Sequence, residues 1–216
     1  MDSGIKLLVT IILPLMLLVA VLYGGGYYMK EFTMTSEYEY EVTIETDGDL
    51  QDVNLTVPFP ADLSGGSFSH VGGWNIVETG IDEEENNLTI SADKISANST
   101  STLHLSVETD DEISTYDPIE KEPMLDPEAN FTEEGCDPSN DTEADKCYSY
   151  NYTSTIEVSY RGSPETQIDI SVELTGMNEW WLLDNLKNQY SDRLSVQVES
   201  EGKYEPEGQV RTGIGD

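Results

Sequence analysis

The chain has 216 residues with 43 acidic and 10 basic side chains, and its formal net charge at pH 7 is −33. The excess lies beyond the N-terminal segment, because residues 31–216 hold 42 acidic and 8 basic side chains. A surface this negative repels phosphate backbones and argues against nucleic acid as a partner. About 186 residues remain after the N-terminal segment, which suits one domain with a sizeable core.

The acidic residues are spread over every segment, and such a chain repels itself at low ionic strength. The Debye length falls from about 10 Å at 0.1 M salt to about 3 Å at 1 M, so high salt relieves that repulsion. The composition therefore favours the solvated surface of a halophilic protein. An acidic extracellular protein of an ordinary organism is the alternative.

Residues 7–29 carry no charge. As a helix they would be about 34 Å long, enough to cross a hydrocarbon core of about 30 Å. We predict a transmembrane anchor at 7–29, a short cytoplasmic N-terminus at 1–6 and an ectodomain at 31–216. Tyr23, Tyr27 and Tyr28 would lie at the lipid interface. A signal peptide cleaved near Gly24 or Gly26 is the rival interpretation.

Six Asn-x-Ser/Thr sites follow the apolar segment, whereas chance predicts about two from the composition. They favour a glycosylated outer surface and an N-inside, single-pass orientation in the cell membrane. Exposed strands and turns rich in Asn and Thr would give the same pattern without glycosylation. The six sites are Asn54, Asn87, Asn98, Asn130, Asn140 and Asn151.

The ectodomain opens with a period of two. SEYEYEVTIET, residues 36–46, places Tyr40, Val42 and Ile44 on one face and glutamates on the other. Asp47-Gly48 indicates a turn, and VNLTV at 53–57 alternates again, so we predict a hairpin. A Gly/Ser-rich loop follows at 61–73, and then WNIVET, NLTIS and TLHLSV predict three further strands.

The second half repeats this alternation. YSYNYTSTIEVSYRG, residues 148–162, and QIDISVEL, residues 167–174, predict a second hairpin. RLSVQVES at 193–200 predicts the last clear strand, and GKYEPEGQV at 202–210 allows a further short one. Many short alternating strands with frequent turns predict an all-β fold, an antiparallel β-sandwich ectodomain behind a single N-terminal transmembrane helix.

Residues 110–147 interrupt the strands with 14 acidic and 2 basic side chains and sparse apolar residues. Such a stretch forms no core of its own, so we predict a partly ordered insertion. Cys136 and Cys147 are close in sequence, and in an exported chain they predict a local disulfide pinning the end of the insertion. Two metal ligands are the alternative, but a structural zinc site needs four.

GMNEWWLLDNLKNQYSDR, residues 176–193, has helix-like spacing and holds two of the three tryptophans. One interpretation is a contact surface for a sugar ring or a partner. The other is that Trp180 and Trp181 plug an open end of the sandwich. The candidate contact residues are Asn178, Glu179, Trp180 and Trp181.

The sequence contains no recognised catalytic motif and predicts no cofactor. Calcium is the one alternative, because the chain is rich in the carboxylate oxygens that calcium takes as ligands. Asp47, Asp49 and Asp52 are weak calcium candidates because their spacing matches no calcium loop. We favour a solvated acidic surface as the explanation for them.

Three stretches carry a resemblance: YEYEVTIETDGDLQDVNLTVPFP, the GMNEWW and NQYSDRLSV block, and the glycine-containing tail. In these the chain resembles a group of haloarchaeal membrane-anchored surface proteins of uncharacterised function. The resemblance implies an archaeal envelope location and brings no catalytic residue. We therefore expect a non-enzymatic envelope protein that holds or recognises other surface proteins or glycans. The alternatives are a surface hydrolase acting on glycans or peptides, and a virion membrane protein of a halophile virus.

Overall fold

The computed structural model describes residues 15–16, 32–135, 148–163, 165–181 and 185–215. Thirteen strands lie in these ranges, together with one short 3-10 turn at Ala61–Leu63. In chain order the strands are β1 (Thr35–Thr46), β2 (Leu50–Pro58), β3 (Ser67–Val71), β4 (Trp74–Asp82), β5 (Asn87–Ile95), β6 (Ser99–Thr109), β7 (Thr132–Gly135), β8 (Tyr148–Thr153), β9 (Ile156–Arg161), β10 (Ile168–Trp181), β11 (Asn185–Val198), β12 (Gly202–Tyr204) and β13 (Glu207–Gly215).

The strands form two antiparallel sheets. The larger has eight strands in the order β3-β6-β1-β10-β11-β13-β8-β7, and the smaller has five in the order β12-β9-β2-β5-β4. Inward side chains of both sheets belong to one hydrophobic cluster. The all-β, antiparallel sandwich predicted from the alternation is therefore confirmed.

The alternation also predicted which side chains are buried. In β1, Tyr40, Val42 and Ile44 are buried, while Glu41 and Glu45 between them are exposed. The same period holds along β10, whose even-numbered residues face inward from Ile168 onward. Pleating sends successive side chains to opposite faces, so a strand with one face in the core must alternate.

Both predicted hairpins are wrong. β1 pairs with β6 and β10, while β2 lies in the other sheet beside β5 and β9. The 148–162 run likewise divides into β8 of the larger sheet and β9 of the smaller one, and β9 does not pair with β10. Alternation determines which face of a strand is buried, but it does not determine which strand lies beside it. A turn signal therefore indicates either a hairpin or a connection between the two sheets.

The helix-like spacing at 176–193 is also misleading, because β10 and β11 pair there in unbroken register from Ile168↔Val198 to Trp181↔Asn185. Polar residues occupy inward positions at this end of the two strands, which hides the period of two.

The insertion after β6 contributes to the core. Ile113, Met124 and Leu125 are buried and join the main cluster. Each of β10 and β11 is 14 residues long, whereas strands of the smaller sheet reach 9. On the inner face of these long strands, Ile113 bonds to Asn178 of β10 and Leu125 bonds to Asp192 of β11.

The predicted anchor at 7–29 lies outside the described residues except for Leu15 and Met16, as do Cys136, Cys147 and Asn140. Within the described ranges, no helix combines the length and apolar character needed to span a membrane.

Candidate functional site

β10 and β11 end their pairing at Trp181 and Asn185, and this end of the pair is called the tip. The tip lies beside the point where the chain enters the sandwich. Thr35, the first residue of β1, pairs with Glu179. Just before it, the Thr33 hydroxyl donates to the Trp181 carbonyl at 3.1 Å, and the Trp181 N–H donates to the Thr33 hydroxyl at 3.0 Å. The segment that leads to the predicted anchor is therefore fastened to the hairpin end that carries the candidate contact residues.

Two large apolar side chains are exposed at this end. Phe32 is 85% exposed and Trp181 is 48% exposed. Glu179 is exposed as well, and Trp180 is half-buried. Trp181 is therefore not a core residue, whereas Ile113, Met124 and Leu125 of the insertion are buried.

Asn178, the fourth candidate contact residue, is fully buried and bonds within the protein. Its Oδ1 accepts from the Ser36 hydroxyl at 2.8 Å and from the Ile113 N–H at 2.9 Å. Its Nδ2 donates to the Ile113 carbonyl at 2.9 Å and to Asn188 Oδ1 at 2.8 Å. The amide uses its full hydrogen-bonding capacity to hold the insertion against the sheet.

Asp192 of β11 makes a second buried attachment. One carboxyl oxygen accepts from the Leu125 N–H at 2.8 Å, and the other lies 2.5 Å from the Tyr152 hydroxyl, which donates to it. Burial raises the pKa of the Asp192 carboxyl to about 7, although the two hydrogen bonds oppose that shift and Asp126 adds to it. Burial and the neighbouring Asp192 carboxyl also raise the pKa of Tyr152.

Two glycines make room for the tyrosine rings on this inner face. A Cβ on Gly176 would lie 2.2 Å from the Tyr190 ring, and one on Gly208 would lie 2.3 Å from the Tyr152 ring. The Tyr190 ring crosses above its strand neighbour, and its hydroxyl donates to the Pro123 carbonyl at 2.7 Å. Each glycine thus permits a ring to lie flat and reach the attachment between insertion and sheet.

Sequence reasoning missed these attachments, although a signal existed. Asn178, Tyr190 and Asp192 share the parity of the buried residues in β10 and β11. A polar group at a core position requires a partner, because an unbonded buried polar group is costly. Once the strands are identified, the sequence points to a polar partner above this face, and the insertion supplies backbone groups.

The outer face of the same strands has a different chemistry. Glu41 lies directly opposite Glu173, and Glu45 directly opposite Asp169. Glu37 faces Glu108 on the other neighbour of β1. Like charges directly opposite each other in a sheet are destabilising. These three pairs therefore lower the stability of the sheet in dilute salt.

The outer face also has an open hollow of about 440 Å³. Its lining includes Glu41, Glu45, Asp169 and Glu173, with Arg193 among them. Four carboxylates therefore share one concave surface.

The three calcium candidates point to separate partners. Asp47 accepts from the Gln167 N–H at 2.8 Å, Asp49 pairs with Lys94 at 2.9 Å, and Asp52 pairs with Arg161 at 3.0 Å. Among the residues that the structure describes, no cluster of three or more His, Cys, Asp or Glu side chains could hold a metal ion.

Five of the six predicted glycosylation sites lie in the described ranges, and none of these five is buried. Asn54, Asn98 and Asn130 are exposed, while Asn87 and Asn151 are partly exposed. Each asparagine is therefore at least partly open to solvent.

Comparisons with known proteins bring no relative: no protein-family profile matches the chain, and neither the curated proteins nor the solved structures include a match.

Proposed function

We propose that this chain is a non-enzymatic, membrane-anchored protein of a halophile's cell envelope, with its sandwich outside the cell. The observation that carries the proposal is the outer face of the eight-stranded sheet, where Glu41 faces Glu173 and Glu45 faces Asp169. In dilute salt each such pair costs stability, and at a Debye length of about 3 Å the cost largely disappears. A protein kept in concentrated salt tolerates such pairs.

The external placement is supported by the accessible sequons and by the uncharged segment 7–29, which ends three residues before Phe32. We propose that this segment anchors the chain and that Cys136 and Cys147 form a disulfide outside the cell. The structural role would be to hold or recognise another surface protein or glycan.

The test uses the full chain expressed in a haloarchaeal host. Membrane and medium fractions are separated, intact cells are treated with added protease, and the intact mass is measured before and after chemical deglycosylation. We expect a membrane-bound protein that the protease degrades, with a mass that includes residues 1–26 and glycan. A soluble protein whose mass begins at or near Tyr27 would contradict the anchor.

A surface hydrolase is the second candidate, because the outer hollow brings Glu41, Glu45, Asp169 and Glu173 together. Retaining glycosidases need two carboxyl groups about 5 Å apart, and inverting ones need a wider spacing. Hydrolysis of host surface glycans or peptides that is lost in Glu41→Gln and Glu173→Gln would favour this candidate over the envelope role.

A further inference from the structure

The exposed aromatic side chains of the described ranges are concentrated at one end of the eight-stranded sheet. Trp181 ends β10, and Phe32 lies just before β1, which runs antiparallel to β10. Tyr148 begins β8 and Tyr116 follows Thr115, whose carbonyl accepts from Gly213 near the end of β13. Of these four described side chains, Phe32 and Trp181 lie farthest out, because β10 and β11 extend beyond the pairing of β13 at Asn188.

We propose that Phe32 and Trp181 contact the lipid interface of the membrane in which residues 7–29 are inserted, and thereby hold the sandwich upright on the bilayer. This inference rests on the proposed anchor. The occupant of the surface is the bilayer itself rather than a second protein.

The covalent chain keeps Phe32 within a short distance of the proposed anchor. Only three peptide units separate Met29, the last residue of the uncharged segment, from Phe32. Three residues span at most about 11 Å, and the headgroup region is roughly 5–8 Å deep on each side of the bilayer. The two hydrogen bonds between Thr33 and Trp181 then keep the Trp181 backbone at the same level.

The chemistry of the tip also suits lipid headgroups. An indole ring has an apolar body and one N–H donor, and tryptophan is enriched where hydrocarbon meets water. Glu179 at the tip stands opposite Lys187 in the register of β10 and β11, so the two facing residues carry opposite charges. This arrangement differs from the paired carboxylates farther along the same sheet.

The test measures fluorescence quenching of the full chain reconstituted in vesicles of phosphatidylcholine and phosphatidylglycerol at 2 M KCl. The vesicles carry bromine on the acyl chains near the headgroups. We expect quenching in the parent protein and its partial loss in Trp181→Phe. Trp74 contributes little, because it is buried in the smaller sheet.

Two matched variants move the reporter in the Trp181→Phe background. Phe32→Trp, at the proposed membrane end, should restore the quenching. Val71→Trp should not restore it, although Val71 is 68% exposed. Val71 pairs with Thr102, which pairs with Thr43, so it lies far along the sheet from the proposed membrane end. Thr43 is eight residues from Thr35, about 27 Å along the strand.

The outcomes separate this inference from the proposed function. A chain that does not float with the vesicles contradicts the anchor. A chain that floats without quenching from Trp181 or Phe32→Trp keeps the anchor and overturns the lipid contact. Equal quenching from Phe32→Trp and Val71→Trp means that the sandwich lies on its side, which also overturns the proposal.

Discussion

The polar groups on the two faces of the β10–β11 pair have opposite surroundings. On the inner face, Asn178 and Asp192 are fully buried and each bonds to the insertion. On the outer face, Glu173 and Asp169 are not buried, and each stands opposite another carboxylate. Inside, the structure depends on particular partners. Outside, it depends on the solvent, so mutations on the two faces should differ in size and in salt dependence.

The largest effect is expected from Asn178→Leu. The substitution leaves the Ile113 N–H and carbonyl and the Ser36 hydroxyl without their partner in a buried place. Each unsatisfied buried group costs about 1–3 kcal/mol, so we expect a loss of about 3 kcal/mol or more in the free energy of unfolding. Denaturant unfolding of the full chain in detergent at 2 M KCl measures this loss.

Asn75→Leu is the matched control for Asn178→Leu. Asn75 is exposed on β4, so its replacement should change stability by no more than about 0.5 kcal/mol. If both variants unfold at the same denaturant concentration as the parent protein, the Asn178 network does not hold the insertion.

The next effect is the pH dependence conferred by Asp192. In the folded state its pKa is about 7, against 3.8 for an ordinary aspartate, so the folded protein binds more protons than the unfolded chain between these values. The stabilisation that Asp192 adds to the free energy of unfolding is therefore fully present below about pH 3.8, falls as pH rises, and is lost above about pH 7. The slope approaches 1.4 kcal/mol per pH unit at most, about one proton.

Asp192→Asn should remove this slope. An amide can accept from the Leu125 N–H and donate to the Tyr152 oxygen, so the attachment keeps its shape. The measurement is the difference in unfolding free energy between variant and parent from pH 4 to pH 8 at 2 M KCl. Parallel curves for Asp192→Asn and the parent would contradict a protonated Asp192.

These two faces also show what the sequence could predict. Alternation identified Tyr40, Val42 and Ile44 as core residues, because a pleated strand with one buried face has few other solutions. The partners of β1 and β9 were not predictable, since either sheet can bury the same face. The places of Ile113 and Leu125 were missed because their burial depends on polar groups of β10 and β11, far away in the chain.

At the tip, one part of the prediction from sequence is right and another part is wrong. The sequence singles out Trp180 and Trp181, but its helix-like spacing hides the strand, and the predicted contact surface includes Asn178, which is buried. In β10 the even-numbered side chains point into the core. Asn178 is one of these, whereas the odd-numbered Trp181 points away from the core. The proximity of Phe32 to Trp181 follows from the pairing of β1 with β10, which is a property of the topology.

The smallest effect is expected from single carboxylates on the outer face. Glu45→Gln removes one charge of the Glu45–Asp169 pair, which should stabilise the protein by about 0.2–1 kcal/mol at 0.1 M KCl. At 2 M KCl the gain should vanish, because the Debye length is then shorter than the spacing between the charges. Thermal unfolding at both salt concentrations measures the change.

Glu39→Gln is the control that separates the pair from the overall charge. Glu39 lies on the same face of β1, opposite Thr175 and Ser106 rather than a carboxylate. Glu39→Gln removes one negative charge, as Glu45→Gln does. The effect of the opposing pair is therefore the gain in stability of Glu45→Gln beyond that of Glu39→Gln. The double variant with Asp169→Asn closes the cycle, since the second substitution should gain little once the first is made. Equal gains for Glu39→Gln and Glu45→Gln at 0.1 M KCl would mean that the total charge, not the register of opposing carboxylates, makes the sheet depend on salt.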